Sequence, residues 1–334
     1  MKLVTYLPES GSEPRIGVLA GEELAVFDLD DAARTVEGLA PRYFASMLAF
    51  LEGGKEAKRH AGRILEEYAQ DFCRPLASVR LLSPVPRPRS IRDCMSFRDH
   101  LENATRTVVK WRSRPAWWLD NAVRGLGGRG LIRAPKVWSE QPLYYKGNPA
   151  SVVGSGTEIR WPSFSEKLDF ELEIGLFIGR EGRDIPEDTT SCFIAGFTIF
   201  NDFSARDAQL REMQGRLGPA KGKDFDTGNA IGPWLVTPEE ISDPYNLTMI
   251  ARVNGEEWTR ASTADLHHSF GRMIAHISRD ESLYPGDFIG AGTAPLGCGL
   301  ELDRWIKPGD EVELEIECLG KLRNRIARKT DEVV

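Results

Sequence analysis

Carboxylates crowd one short stretch of the chain, LDFELEIGLFIG at residues 168–179. Side chains alternate faces along a strand, so Asp169, Glu171 and Glu173 would share one face and Phe170, Leu172 and Ile174 the other. Beyond Glu173 the run IGLFI is continuously apolar, the pattern of a strand buried on both sides. Acids in that setting need a partner that offsets desolvation and mutual repulsion. A hard divalent cation supplies one, because Mg²⁺, Mn²⁺ and Ca²⁺ prefer oxygen ligands. The alternative is an edge strand with a solvated acidic face. A second acidic run, TIFNDFSARDAQ, ends an apolar strand at Asn201-Asp202. Asp202 there is either a ligand at a cleft or the N-cap of the helix that follows. In SIRDCMSFRDHLENA, Asp93 stands seven residues before His100. In GAGTAPLGCGLELDRW, glycines permit close backbone approach and Glu301 follows in an apolar context. A plain hairpin would explain that run equally well.

These side chains need elements to hold them. Residues 1–29 carry three short strand patterns, KLVTY, RIGVLAG and LAVFDL, with polar turns between them. Residues 42–70 switch to helical spacing, interrupted at Gly53-Gly54. The segment RLLSPVPRPRS favours extended chain and marks a linker, so a boundary is expected near residue 83. That divides the chain into a small N-terminal α+β domain, 1–83, and a larger domain, 84–334. From residue 85 strand patterns dominate, including ASVVGSGTEIRWP, CFIAGFTIFNDFSARD, GPWLVT, LTMIARVNGEEWT and DEVELEIECLGKLRNRI. Asn254-Gly255 signals a hairpin. Helices are expected over 265–277 and 205–212. Strands with interspersed helices argue against a doubly wound sheet or a TIM barrel.

Residues 101–140 combine eight basic residues with four of the eight tryptophans and a glycine run, GLGGRG. Two readings stay open. The segment is a lid or basic funnel over a site for an anionic substrate, or it is a surface excursion packed on its own tryptophans or against a second copy of the chain.

Composition narrows the function class. The 334 residues carry 43 basic and 50 acidic side chains, a net charge of −7, which disfavours a general nucleic-acid binder. Hydrophobic residues at 41% exclude a mostly disordered chain. No run approaches the ~18 apolar residues of a membrane span. The first residues turn polar too early for a signal peptide. Five scattered cysteines show no CxxC pair and no zinc spacing. The expectation is a cytoplasmic protein of a reducing compartment, with no membrane partner.

Taken together, the runs resemble the fumarylacetoacetate hydrolase family over roughly residues 85–325. The resemblance rests on Asp93 and His100, YYKGNPASVVGSGTEI, DFELE, NDFSARDAQ, GKDFDTGNAIGPW, the Gly-Thr pair at 292–293, and GCGLEL, all in the family's order. It implies an α+β, mostly β fold, a mixed β-sandwich roll behind a small N-terminal domain, assembled as a homodimer. It implies metal ligands at Glu171, Glu173 and Asp202, with Asp93 near or direct, and Mg²⁺ as the cation, Mn²⁺ or Ca²⁺ being the alternatives. It makes His100 the catalytic base, Glu301 its partner and Lys223 a catalytic cation. Tyr145, Arg206, Gln209 and Thr293 become contacts to a small anionic 2-oxo acid. Met95 and Met213 stand where fumarylacetoacetase has tyrosines. The reaction implied is hydrolysis of a C–C bond in an acylpyruvate or related 1,3-diketone, by water that His100 activates, with release of an enolate whose charge the cation offsets. Decarboxylation of a 2-oxo acid and isomerisation of a hydroxy-diene diacid remain alternatives on the same site. Asp169 has no role in the resemblance and is expected to be supporting.

Overall fold

The computed structural model describes residues 1–9, 11, 13–21 and 25–328. β1 (Lys2–Pro8), β2 (Arg15–Ala20) and β3 (Ala25–Asp28) form an antiparallel meander where the three strand patterns predict it. Leu24, which opens the third pattern, lies outside the described residues. A helix the sequence reading lacks, α1 (Leu29–Glu37), follows directly. Asp28 caps it by accepting from Asp31 N at 3.0 Å, and Gly38 ends it in the left-handed region at φ 76°. Its stretch LDDAARTVE buries only Leu29, Ala32 and Ala33, too narrow a stripe to stand out as periodicity. α2 (Met47–Tyr68) joins both expected helices, with a kink at Gly54, φ 53° and ψ −130°, where the glycine pair predicts a break.

The proline-rich segment is not the free linker its composition suggests. β4 (Cys73–Pro75) pairs with β3, and β5 (Val79–Leu81) pairs with β1. Thr5 then donates to the Pro84 carbonyl at 2.6 Å, and Val85 is buried. The prolines sit where no ladder donor is needed, so the chain stays extended yet packed.

β6 (Ile91–Cys94) is followed by α3 (Arg98–Arg112), α4 (Arg114–Gly125), α5 (Lys136–Glu140) and β7 (Tyr144–Gly147). Then come β8 (Val152–Val153), β9 (Leu168–Asp169), β10 (Leu172–Ile178), β11 (Ile194–Asp202), β12 (Ser204–Ala205), α6 (Arg206–Glu212) and β13 (Asn229–Val236). β14 (Thr248–Val253), β15 (Glu256–Ser262), α7 (Phe270–Ile277), β16 (Phe288–Gly290), α8 (Gly299–Leu302), β17 (Glu311–Ile316) and β18 (Gly320–Arg325) complete the described chain. Asn254 and Gly255, at φ 52° and 81°, make the expected hairpin between β14 and β15.

One large mixed sheet runs β4-β3-β2-β1-β13-β11-β10-β16-β6-β7, and β15-β14-β17-β18 form a second sheet. Side-chain alternation on β10 feeds two apolar layers. Leu172, Ile174 and Leu176 pack with Met249 and Leu314 of the second sheet and with Met273 of α7. Phe177 joins Phe200 and Phe288 on the opposite face, against Phe44, Phe50 and Ile64 of the N-terminal segment. β1 is hydrogen-bonded to β13, so the stretches on either side of residue 83 share one sheet and one core.

The 101–140 segment is α3, α4 and α5 around a loop that contains GLGGRG. Buried Asp120 organises it, accepting from Arg106 Nε at 2.9 Å, Leu131 N at 2.6 Å and Ile132 N at 2.9 Å. Trp138 pins its end, donating to the Met95 carbonyl at 2.5 Å and stacking on His267. Trp118, by contrast, is 67% exposed.

Candidate active site

Neighbouring strands β11, β10, β16, β6 and β7 bring Asp202, Glu173, Asp93 and Tyr145 together. Asp93 and Tyr145, far apart in sequence, are cross-strand partners. Gly290 lies opposite Asp93 on β16, and a Cβ there would fall 2.3 Å from Asp93 Oδ1. Glycine is therefore what leaves room for that carboxylate.

Asp93, Glu173 and Asp202 offer oxygens that all lie within 4.8 Å of one another, and all three are buried. Glu173 accepts from Gly292 N and Thr293 Oγ1, both at 3.1 Å. Asp202 accepts from Tyr145 OH at 2.6 Å and from Lys223 Nζ. Asp93 Oδ1 and Asp202 Oδ1 have no hydrogen-bond partner among the described residues. Burial first, then the neighbouring acids, pushes Asp93 and Glu173 well above the usual carboxylate range. Burial pushes Asp202 up to about 6 against the opposing pull of Lys223. Three buried carboxylates with two orphaned oxygens are a donor set that a hard divalent cation fits.

Glu171 stands beside this trio and not within it. Arg206 Nη2 donates to its carboxylate at 2.7 Å, and Lys223 Nζ bridges it to Asp202. These two cations outweigh burial and hold Glu171 below its ordinary range. Lys223 is held charged in turn, because Asp202 and Glu171 outweigh the cost of burying it.

The strand breaks between Asp169 and Leu172, so Asp169 belongs to β9, paired with β12, yet the alternation carries across the break: Leu168, Phe170, Leu172 and Ile174 enter one core layer, and Arg206 holds both Asp169 and Glu171. The Asp169 carboxylate accepts from Arg206 Nε at 2.7 Å, Gly299 N at 2.7 Å and Leu300 N at 3.0 Å, a supporting position.

His100, in the first turn of α3, meets Glu301 of α8 at 2.7 Å between Nδ1 and Oε2. Glu301 is fully buried and also accepts from Leu296 N at 3.0 Å and Asn103 Nδ2 at 3.3 Å. An acceptor at that edge places the ring proton on Nδ1 and leaves Nε2 as the base. Cys298 lies 3.5 Å from Glu301, but burial pushes its thiol well up, so it offers no thiolate as a ligand.

A cavity of about 860 Å³ opens onto these groups. Of the predicted site residues only Asp202 and Glu301 do not line it, and each is hydrogen-bonded to one that does. Arg206 also reaches Gln209, with Nη1 and Oε1 3.0 Å apart. Sequence reasoning missed Asn103, which steadies Glu301, and the cavity face of α3. Leu101, Ala104, Thr105 and Val108 follow an i, i+3, i+4, i+7 spacing that would have revealed that face.

Comparison with known proteins agrees with this architecture. The family model for the fumarylacetoacetate (FAA) hydrolase C-terminal region matches residues 96–327. A rat protein named oxaloacetate tautomerase Fahd2a, mitochondrial, is 32% identical over 98% of this chain and 91% of its own length. The fumarylacetoacetate hydrolase structure of Exiguobacterium antarcticum superposes with a TM-score of 0.72 at 24% identity, covering 98% of this chain and all of that one. Maleylpyruvate hydrolase of Sphingobium sp. SYK-6, solved with manganese(II) and pyruvate, gives a TM-score of 0.70 at 22% identity, covering 99% of this chain and all of that one. At these identities the structures speak for the fold alone, while the matched segment and the full-length relative settle the kinship. The chain belongs to the fumarylacetoacetate hydrolase family.

Proposed function

We propose that the protein is a divalent-metal-dependent enzyme that moves a proton at the carbon beside the carbonyl of a small 2-oxo acid, interconverting keto and enol forms. The observation that carries this reading is that His100, paired with buried Glu301, lines the same cavity as Asp93 and Glu173 of the carboxylate trio. Kinship with full-length relatives named oxaloacetate tautomerases supports it. Asp93, Glu173 and Asp202 would hold the cation, with Glu171 at their border. Bound there, Mg²⁺, Mn²⁺ or Ca²⁺ would supply Lewis-acid polarisation of the 2-oxo group. Lys223 and Arg206 hold positive charge where an enol oxygen develops its negative charge. His100 Nε2 takes the proton from the carbon next to the carbonyl and returns it to the oxygen, which regenerates the base. Glu301 keeps the imidazole in the tautomer this needs.

Hydrolysis is the second reading, and the same dyad favours it, because Nε2 can deprotonate water as readily as carbon. The water oxygen bonds to the distal carbonyl of an acylpyruvate, and the C–C bond to the pyruvyl carbon breaks. Its electron pair leaves as the pyruvate enolate, which takes back the proton held by His100, and the acyl part departs as a carboxylate with release of one proton. Purified protein with Mg²⁺ or Mn²⁺ should speed the keto–enol equilibration of oxaloacetate, followed by enol absorbance. Cleavage of acylpyruvates without that acceleration would put hydrolysis first, and loss of oxaloacetate as CO₂ and pyruvate would put decarboxylation first. Inertness towards both acids with metal present would remove the whole reading.

The homodimer is the assembly we propose, to be checked by sedimentation. No helix among the described residues is long and apolar enough to cross a membrane, and all five cysteines are unpaired. A reducing compartment, the cytosol in our proposal, suits such thiols, although the mammalian relatives are named mitochondrial.

A further inference from the structure

We infer that the outward face of α4 is a docking surface for an anionic lipid membrane, on which the protein rests without a spanning segment. The inference stands apart from the reaction proposed above, because it uses none of the site residues named there.

α4 is built inside out. A surface helix ordinarily turns its apolar stripe to the core and its polar side chains to water. Here the polar side chains Asp120, Asn121 and Arg124 serve the protein. Asp120, the one buried residue of the helix, accepts from Arg106 Nε at 2.9 Å and Arg124 Nε at 3.2 Å. Asn121 Oδ1 accepts from Arg106 Nη2 at 2.6 Å. The exposed residues are instead Pro115, Trp118, Leu119 and Ala122, at i, i+3, i+4 and i+7, and Leu126 at the C-cap continues the row one turn on. Trp118 is 67%, Leu119 58% and Leu126 89% exposed. Surface hydrophobes scattered singly need no explanation, but a contiguous stripe marks an interaction site.

Charge names the occupant. Residues 105–137 carry eight basic side chains and one acid, Asp120, in a chain whose net charge is −7. Arg112 and Arg114 at the start of α4 and Arg129 beyond its end are exposed. Among the described residues these three side chains have no hydrogen-bond or ion-pair partner, whereas Arg106, Lys110 and Arg124 are held by Asp120 and Asp303. Free guanidiniums flanking an indole and leucines suit the headgroup boundary of an anionic bilayer. Tryptophan settles at that interface, and each basic residue gains from its negative potential. A second copy meeting this face about a two-fold axis would set the same guanidiniums against one another. A face ~18 Å long and ~10 Å wide is also small beside the ~800 Å² per partner of a stable protein pair. The sequence reading expects no membrane partner because the chain holds no spanning run. A surface contact needs none, and an acidic whole conceals a basic segment.

The test is co-sedimentation of the full chain with two kinds of vesicle, one of phosphatidylcholine alone and one of equal parts phosphatidylcholine and phosphatidylglycerol. Binding to the mixed vesicles is expected, weakened by salt and absent with the neutral ones. A blue shift in tryptophan emission should accompany it and vanish in Trp118→Ser. Arg114→Gln with Arg129→Gln should weaken binding by about 25-fold, about fivefold per basic residue lost. Trp118→Ser with Leu126→Ser should weaken it by at least about tenfold, because the apolar burial is lost. All four side chains lie at the surface, so an unchanged Tm checks that each variant is folded. No sedimentation with mixed vesicles at low salt, equal sedimentation with both kinds, or full binding by the variants overturns the docking face. Poly-glutamate bound as tightly as the vesicles, with Trp118→Ser affecting neither, would make the patch a general polyanion site and overturn the lipid assignment. A dimer that Trp118→Ser dissociates in sedimentation velocity would give the face to a second copy and overturn it as well.

Discussion

Glu301→Gln isolates the one contact on which both proposed reactions depend. The side chain is fully buried, and its oxygens accept from His100 Nδ1 at 2.7 Å and from Leu296 N at 3.0 Å. Glutamine keeps the shape. Its carbonyl can still accept from Leu296, which forces its NH₂ toward His100. Nδ1 must then accept a hydrogen bond, so the ring proton moves to Nε2 and the base is lost. A wrong tautomer of this kind costs ~10⁴ in serine proteases, and a general base is worth ~10²–10⁴. We expect kcat/KM to fall by about 10²–10⁴-fold, the worth of that base. Stability should fall by no more than ~1.5–3 kcal/mol, the worth of one charge-assisted hydrogen bond. The assay pairs initial rates on oxaloacetate and acetylpyruvate with the Mn²⁺-induced shift in Tm. That shift should survive, because Glu301 lies outside the Asp93, Glu173 and Asp202 trio. A folded Glu301→Gln protein with rates within about threefold of the parent would refute the tautomer argument and the base assignment with it.

Four further outcomes are expected. Mn²⁺ or Mg²⁺ at a hundredfold excess over Kd should stabilise the fold by ~2.7 kcal/mol. Glu173→Gln should remove that gain while raising the Tm of metal-free protein, because it relieves repulsion with Asp93 and Asp202; a lower metal-free Tm would count against the account. His268 is buried and donates from Nε2 to the Trp138 carbonyl at 2.6 Å, with burial, His267 and Arg272 holding it below the usual histidine range. An unfolded histidine takes its proton near pH ~6.5 and the folded one only at lower pH, so the unfolded state binds more protons in that window and stability falls as pH drops. Denaturation midpoints that change equally in His268→Gln and parent protein would contradict this. We propose that residues 1–83 form a packing unit of the catalytic sheet, so a chain of 84–334 alone should aggregate, since it bares the β13 edge and Phe177, Phe200 and Phe288. A monodisperse, active 84–334 chain would contradict it.

Acids and turns were the legible part of this chain. Alternation predicted the face carrying Phe170, Leu172 and Ile174, and all three enter one core layer. It gave no sign of the strand break after Asp169, which is set by tertiary pairing with β12 and carried by no local pattern. The proline segment misled for a related reason: composition reports extended chain, while only the distant partner β1 decides that the chain is packed. α1 escaped because its apolar stripe is three residues wide. Sequence grouped Glu171 with the other acids but could not tell that Arg206 and Lys223 would hold it.

That hold also bears on the charge of the cation. Apart from Glu301, which pairs with His100, five buried acids, Asp93, Asp169, Glu171, Glu173 and Asp202, form one cluster with two buried cations, Arg206 and Lys223. Fully ionised, they leave three uncompensated negative charges. A divalent ion reduces the excess to one, and the remaining charge falls on oxygens that already accept from Gly299 N, Leu300 N, Gly292 N, Thr293 Oγ1 and Tyr145 OH. A monovalent ion would leave two, which burial does not tolerate. An incoming 2-oxo acid brings its own carboxylate into the same space, so Arg206 and Lys223 must serve the substrate as well as the acids. The elevated Asp93 and Glu173 show that the protein alone does not hold every acid ionised. Cation and substrate therefore act on one electrostatic balance, and substrate affinity should depend on the divalent ion even though no carboxylate of the trio needs to touch the substrate.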